Sequence, residues 1–126
     1  GYGFEGFNTA WLRRVLAARG YPDAIVECRV TLPDPDRIVH AKASHVEVDI
    51  YCKHPLIIAE TATFLGRPEL KKLETFAKIG AIVAKAEGAK PEMLFCTYAV
   101  DHSIRSKVAS LCTQHSIDLV LDETTN

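Results

Sequence analysis

The sequence predicts an α/β domain in which a mixed β-sheet is flanked by helices, in the order α-β-β-β-α-β-α-β. Three observations predict it. A long stretch at helical spacing, residues 70–84, separates two groups of strand-like runs. Residues 46–52 alternate apolar and polar and are followed at once by a second apolar run, the pattern of a hairpin. Glycine and proline fall between these segments. A chain of 126 residues, without internal repeats or low-complexity linkers, is expected to form one domain around one core, residues 1–126.

The elements follow in order. Asn8 is expected to cap a helix that runs to Ala18, with Trp11, Val15 and Ala18 on its apolar stripe and Gly20 ending it. Residues 25–32 are strand-like; PDPD at 33–36 marks a turn before a short extended stretch at 37–40. Strands are expected at 46–52 and 56–63, on either side of Lys53-His54-Pro55. After Gly66 and Pro68, Leu70, Leu73, Ala77, Ala81 and Ala84 define a helix face that Ile79, Ile82 and Val83 widen, and Gly88 stops it. Residues 93–100 are a compact apolar run suited to a central strand. His102 or Ser103 is expected to cap a helix bearing Ile104, Val108, Leu111 and Cys112, and residues 117–121 make the last strand.

Composition narrows the class. Apolar residues make up 48% and charged residues 25%, which excludes a disordered or collagen-like chain. No apolar run is long enough for a bilayer and no signal-peptide pattern is present, so a cytoplasmic location is expected. The chain opens on Gly1 rather than Met, which reads as a processed start or as one domain of a longer protein. Cys28, Cys52, Cys96 and Cys112 are unpaired in spacing and read as reduced thiols; neither CxxC nor HExxH spacing points to zinc. A formal charge of −1 is not that of a general nucleic-acid binder, so any such contact must come from a local patch.

The feature that composition leaves unexplained is HVEVDIYCKHPLIIAETAT, residues 45–63, where Glu47, Asp49 and Glu60 stand among strand residues. A two-residue loop at Lys53-His54 would set Asp49 opposite Ile58 and Glu47 opposite Glu60. Asp49, Glu47, Glu60 and Ala62 would then share one face, with Val46, Val48, Ile50, Ile57 and Ala59 on the other. Carboxylates gathered without a cation on their own face repel one another. Hard oxygen ligands of this kind suit Mg²⁺ or Mn²⁺. The simpler alternative is an exposed sheet face with solvated acids.

Together, GYGFEGFNTAWLRRVLAARGY, EVD at 47–49, IIAET at 57–61, LKKLETFAKIGAIVAKAEG and MLFCTYAV resemble the PD-(D/E)XK nuclease superfamily, particularly archaeal proteins related to Holliday-junction resolvases and restriction endonucleases. The resemblance implies a restriction-endonuclease-like fold and hydrolysis of DNA phosphodiester bonds. It implies Asp49 and Glu60 as ligands of Mg²⁺ or Mn²⁺, with Glu5 of the first helix as the auxiliary acid. The motif's lysine belongs two residues after Glu60, where this chain has Ala62. A displaced lysine is then required, from Lys53, Lys71 or Lys72, with Lys72 preferred.

Three readings stay open at this stage: a metal-dependent endonuclease, a nuclease-like domain that has lost its chemistry and serves as a nucleic-acid-binding or assembly module, and an unrelated α/β protein. Arg13, Arg14 and Arg19 of the first helix, with Lys71, Lys72 and Lys78 of the long one, are the candidate phosphate contacts around the acids. DNA is the expected partner. The resemblance to resolvases implies a homodimer, since cutting two strands suits two symmetric sites.

Overall fold

A computed structural model describes residues 2–121, with side chains described from residue 10 onward. The order is α1 (Tyr2–Ala18), β1 (Glu27–Pro33), β2 (His45–Cys52), β3 (Ile57–Leu65), α2 (Leu70–Glu87), β4 (Glu92–Val100), α3 (Arg105–His115) and β5 (Ile117–Leu121). The strands form one mixed sheet in sequence order, β1-β2-β3-β4-β5. Neighbours β1, β2 and β3 are antiparallel, while β3, β4 and β5 are parallel. The expected α/β class and element order are therefore present. Among the described residues no helix is long and apolar enough to cross a membrane.

Both faces of the central strands are covered. Ile57 and Ala59 of β3 and Leu94 and Cys96 of β4 pack with Trp11, Leu12 and Leu16 of α1. The intervening residues Ile58 and Ala62 of β3 and Met93 and Phe95 of β4 pack with α2 and α3. Successive strand residues point to opposite faces, so two covered faces demand a nearly continuous apolar run, as β4 shows. On the α2 side Phe76 and Phe95 meet edge to face, with ring centroids 6.3 Å apart.

Several expectations shift along the chain. Helix α1 starts well before Asn8, which therefore lies inside the helix and not at its cap. Its buried stripe is Trp11, Leu12 and Leu16, with Ala18 exposed. In α2 the buried face is Leu73, Phe76, Ile79, Gly80, Ile82 and Val83, so the residues expected to widen the stripe are its centre and Ala81 is exposed. Gly88 ends α2 at φ +71, a left-handed conformation that glycine adopts without strain. The turn before α3 is capped by Asp101, whose carboxylate accepts the Ser103 N–H at 2.9 Å, and not by His102 or Ser103.

The extended stretch expected at 37–40 is a loop. Asp34, only 1% exposed, takes up its backbone donors: its carboxylate accepts the N–H of Ile38 at 3.1 Å and of Val39 at 3.0 Å. A buried carboxylate that satisfies local N–H groups competes directly with strand pairing. At the far end of the molecule Arg19, just past α1, bonds Glu92 at 2.6 Å and Asp118 at 3.1 Å, tying the helix to the starts of β4 and β5.

Phe76 is fully buried and touches the packing of both α2 and β4. Phe76→Ala is expected to lower the free energy of unfolding by about 3–5 kcal/mol, read as a reduced denaturant midpoint at unchanged slope.

Candidate functional site

Strand β2 does not keep one phase. Strict alternation would put Val46, Val48, Ile50 and Cys52 on a single face. Instead Val46 and Val48 pack in the α2-side cluster, whereas Ile50 and Cys52 pack in the α1-side cluster. The change falls at Asp49. On the neighbouring strand, pairs Val30 with Val48 and Cys28 with Ile50 leave Arg29 across from Asp49, and Arg29 has φ +53. A non-glycine residue in the left-handed region costs on the order of 1–3 kcal/mol and persists only where its surroundings hold it there. Its effect here is to re-aim β2, so that Asp49 joins Glu60 on the α2 side while Glu47 stays exposed elsewhere.

The register of the β2–β3 hairpin also differs from expectation. Cys52 pairs with Ile57, Tyr51 with Ile58 and Ile50 with Ala59. Residues 53–56 form the turn, two residues longer than the tight loop expected, and it contains a cis His54-Pro55 bond. An even offset leaves every β3 side chain on its expected face. The ladder stops at Ile50, and beyond it the β2 side of Thr61 is met by a side chain. Thr61 N–H donates to Asp49 Oδ2 at 3.1 Å, and the Thr61 hydroxyl donates to the same oxygen at 3.0 Å.

A concavity of about 360 Å³ opens at this point, lined by Asp49, Glu60 and Thr61 from the sheet and Lys71, Lys72 and Thr75 from the start of α2. The entrance to α2 is fixed by reciprocal bonds in the preceding turn: Glu69 N–H donates to the Gly66 carbonyl at 3.0 Å, and Gly66 N–H donates to the Glu69 carboxylate at 3.2 Å. Glu60 sits in the strand covered on both faces. Burial, then the hydrogen bond to Asp49 and its negative charge, push the Glu60 carboxyl up to about 10; Lys72 and the Asp49 backbone N–H act in the opposite direction without reversing it. At neutral pH Glu60 therefore keeps its proton unless another positive charge replaces it.

The other candidates separate. Lys71 and Lys72 share the concavity with the acids; Lys78 is exposed further along α2 and does not line it. Arg13 lines a different hollow with Tyr21, Pro22 and Ile25, and Arg14 is exposed on α1, which covers the opposite face of the sheet from α2. Arg19 is engaged with Glu92 and Asp118, and Lys53 lies 3.9 Å from Glu87 at the hairpin tip. The expected basic rim is thus reduced to the two α2 lysines. The side chain of Glu5 lies outside the described residues. Ala62 is 6% exposed and packs with Ile58, Leu73 and Phe76, so the position two residues after Glu60 is core.

Donor chemistry can be tested against a divalent ion. Among the described residues no group of three or more His, Cys, Asp or Glu side chains could hold a metal. Two adjacent carboxylates remain, and burial and the neighbouring Asp49 keep Glu60 protonated at neutral pH although Lys72 favours its ionised form. Mg²⁺ commonly uses one or two carboxylates and fills its other positions with water and substrate oxygens, so the pair fits that ion's demands. Thr61 and Thr75 were not singled out from sequence. The signals for them were a hydroxyl residue directly after Glu60 in an apolar strand and a threonine one turn after Lys71 and Lys72.

Known proteins supply no further constraint: the chain matches no family model, no curated protein and no solved structure.

Without divalent metal, Glu60 makes stability depend on pH. Its carboxyl titrates near 4.5 unfolded and about 10 folded, so the folded state binds the extra proton between those values. Stability from this group is complete below pH 4.5 and is lost as pH rises toward 10. Glu60→Gln, which copies the protonated form, is expected to be more stable than the unaltered protein at pH 8 by on the order of a few kcal/mol, and equal to it near pH 4. Urea midpoints measured in chelator at both pH values check this.

Proposed function

We propose that the chain is a divalent-metal-dependent nuclease-like domain of the PD-(D/E)XK type, acting on DNA phosphodiester bonds. The observation that carries this reading is the meeting of Asp49 and Glu60 with Lys71 and Lys72 in one concavity, on elements that arrive there from three separate parts of the chain. Asp49 and Glu60 are the residues to hold Mg²⁺ or Mn²⁺, with Glu5 as the auxiliary acid. When bound, the ion supplies Lewis-acid stabilisation of the negative charge that develops on a phosphodiester.

The chain's own groups do the rest. Lys72, close enough to Glu60 to favour its ionised form, stands in for the lysine that Ala62 lacks and holds its ammonium toward a phosphate oxygen beside the carboxylates. Lys71 contributes a phosphate contact at the rim, which adds affinity without sequence preference. Asp49, gripped by Thr61, gives the site a fixed carboxylate. Arg13 and Arg14 lie on the other side of the sheet and would serve only a nucleic acid that extends round the edge of the domain.

A second reading is favoured by one observation. Ala62 is integrated into the core under α2, as in a domain that has dispensed with the motif's lysine and retained the fold for binding or assembly.

Calorimetric titration of Mn²⁺ and a plasmid-nicking assay separate the two. The enzyme reading expects saturable binding, its loss in Asp49→Asn, and nicking that falls about 10²–10³-fold in Lys72→Ala while metal binding persists. Binding without nicking at any protein concentration favours the second reading, and absence of binding removes the metal from both. Lys71→Ala is expected to weaken DNA binding for all sequences alike and to reduce the salt slope by about 0.9.

A further inference from the structure

Thr61 is the residue whose backbone and side chain both grip Asp49, at 3.1 and 3.0 Å, on the same carboxylate oxygen. A carboxylate offers about four lone-pair positions, and Thr61 occupies two of them. One hydrogen bond leaves a carboxylate free to swing about that bond. Two donors from a rigid strand fix its plane as well. The strand context makes the hydroxyl informative: valine has the same shape and higher β-propensity, and a half-buried hydroxyl without a partner is a cost. Its partner here is a side chain from the next strand, at the point where β2 and β3 stop pairing through their backbones.

We propose that Thr61 is the positioning residue of the carboxylate pair: its hydroxyl sets the orientation in which Asp49 presents its remaining lone pairs to a divalent cation shared with Glu60. This rests on the reading of Asp49 and Glu60 as a metal site. Thr61 does not touch the ion or the substrate. Its contribution passes through Asp49, as partners that orient metal ligands typically raise affinity 10- to 100-fold. The neighbouring residues divide the work accordingly. Glu60 and Thr61, adjacent on β3, serve one centre from two sides, one as ligand and the other as the clamp on the opposing ligand.

The test is Mn²⁺ affinity by calorimetry for the unaltered protein, Thr61→Val, Thr61→Ser and Asp49→Asn, with each variant's folding confirmed by urea denaturation in chelator. Thr61→Val keeps the backbone bond and removes the hydroxyl; it is expected to bind Mn²⁺ about 10- to 100-fold more weakly. Thr61→Ser, which restores the donor, is expected to bind as the unaltered protein does, a rescue that a purely structural role for the residue would not produce. Should the valine variant not fold, Thr61→Ala carries the same comparison. Mn²⁺ binding that Asp49→Asn abolishes but Thr61→Val leaves intact overturns the inference and keeps the metal site. Absence of binding by the unaltered protein overturns both.

Discussion

Strand β3 is covered on both of its faces, and what happens at the site follows from that constraint. Ile57 and Ala59 are closed over by α1, Ile58 and Ala62 by α2. A strand in that position is ordinarily apolar throughout, because each polar group on it loses water that nothing replaces. Glu60 is placed there nonetheless. Its neighbours are another acid and, from the first turn of α2, a lysine whose charge opposes the shift without cancelling it. The low-polarity surroundings that penalise Glu60 also strengthen every charge interaction it makes, which is the condition under which a small cation is held firmly by few ligands.

Which acids converge is decided by β2. Periodicity was sufficient to find the strands, the long helix and their order, since alternation and helical spacing are local and each element carries its own copy of the signal. Periodicity also implied that Glu47 and Asp49 would travel together, as residues two apart in a strand do. They do not, because the phase of β2 changes at Asp49 opposite the left-handed Arg29. Nothing in the residue types announces that conformation, which arginine seldom adopts. The hairpin was similarly half legible. Its turn is two residues longer than the spacing predicts, yet the faces of β3 are as expected because the difference is even.

The basic residues teach the converse lesson. Arg13, Arg14, Arg19, Lys71, Lys72 and Lys78 look equivalent in a sequence, and a near-neutral chain offers no way to rank them. Placement ranks them at once: α1 and α2 lie on opposite faces, so two lysines adjoin the acids and the arginines serve other surfaces. In the sequence Ala62 stands out only against the motif that the chain resembles; in the structure it is a core residue. It is buried in the same core cluster as Leu73 and Phe76, so a long cationic side chain there would have to displace packing before it reached the carboxylates.

The Arg19 bridge bears on the order in which the molecule can be completed. Its partners lie 73 and 99 residues further along the chain, and α1 buries its apolar stripe against Leu94 and Cys96 as well as β3. A chain emerging from its N-terminus therefore makes its first helix long before the surfaces that helix covers exist. Tryptophan and two leucines must wait, exposed, until β4 has paired and β5 has closed the sheet. Helix α1 is made before every strand it packs on, and in the interval before it docks its apolar stripe is open to other partners.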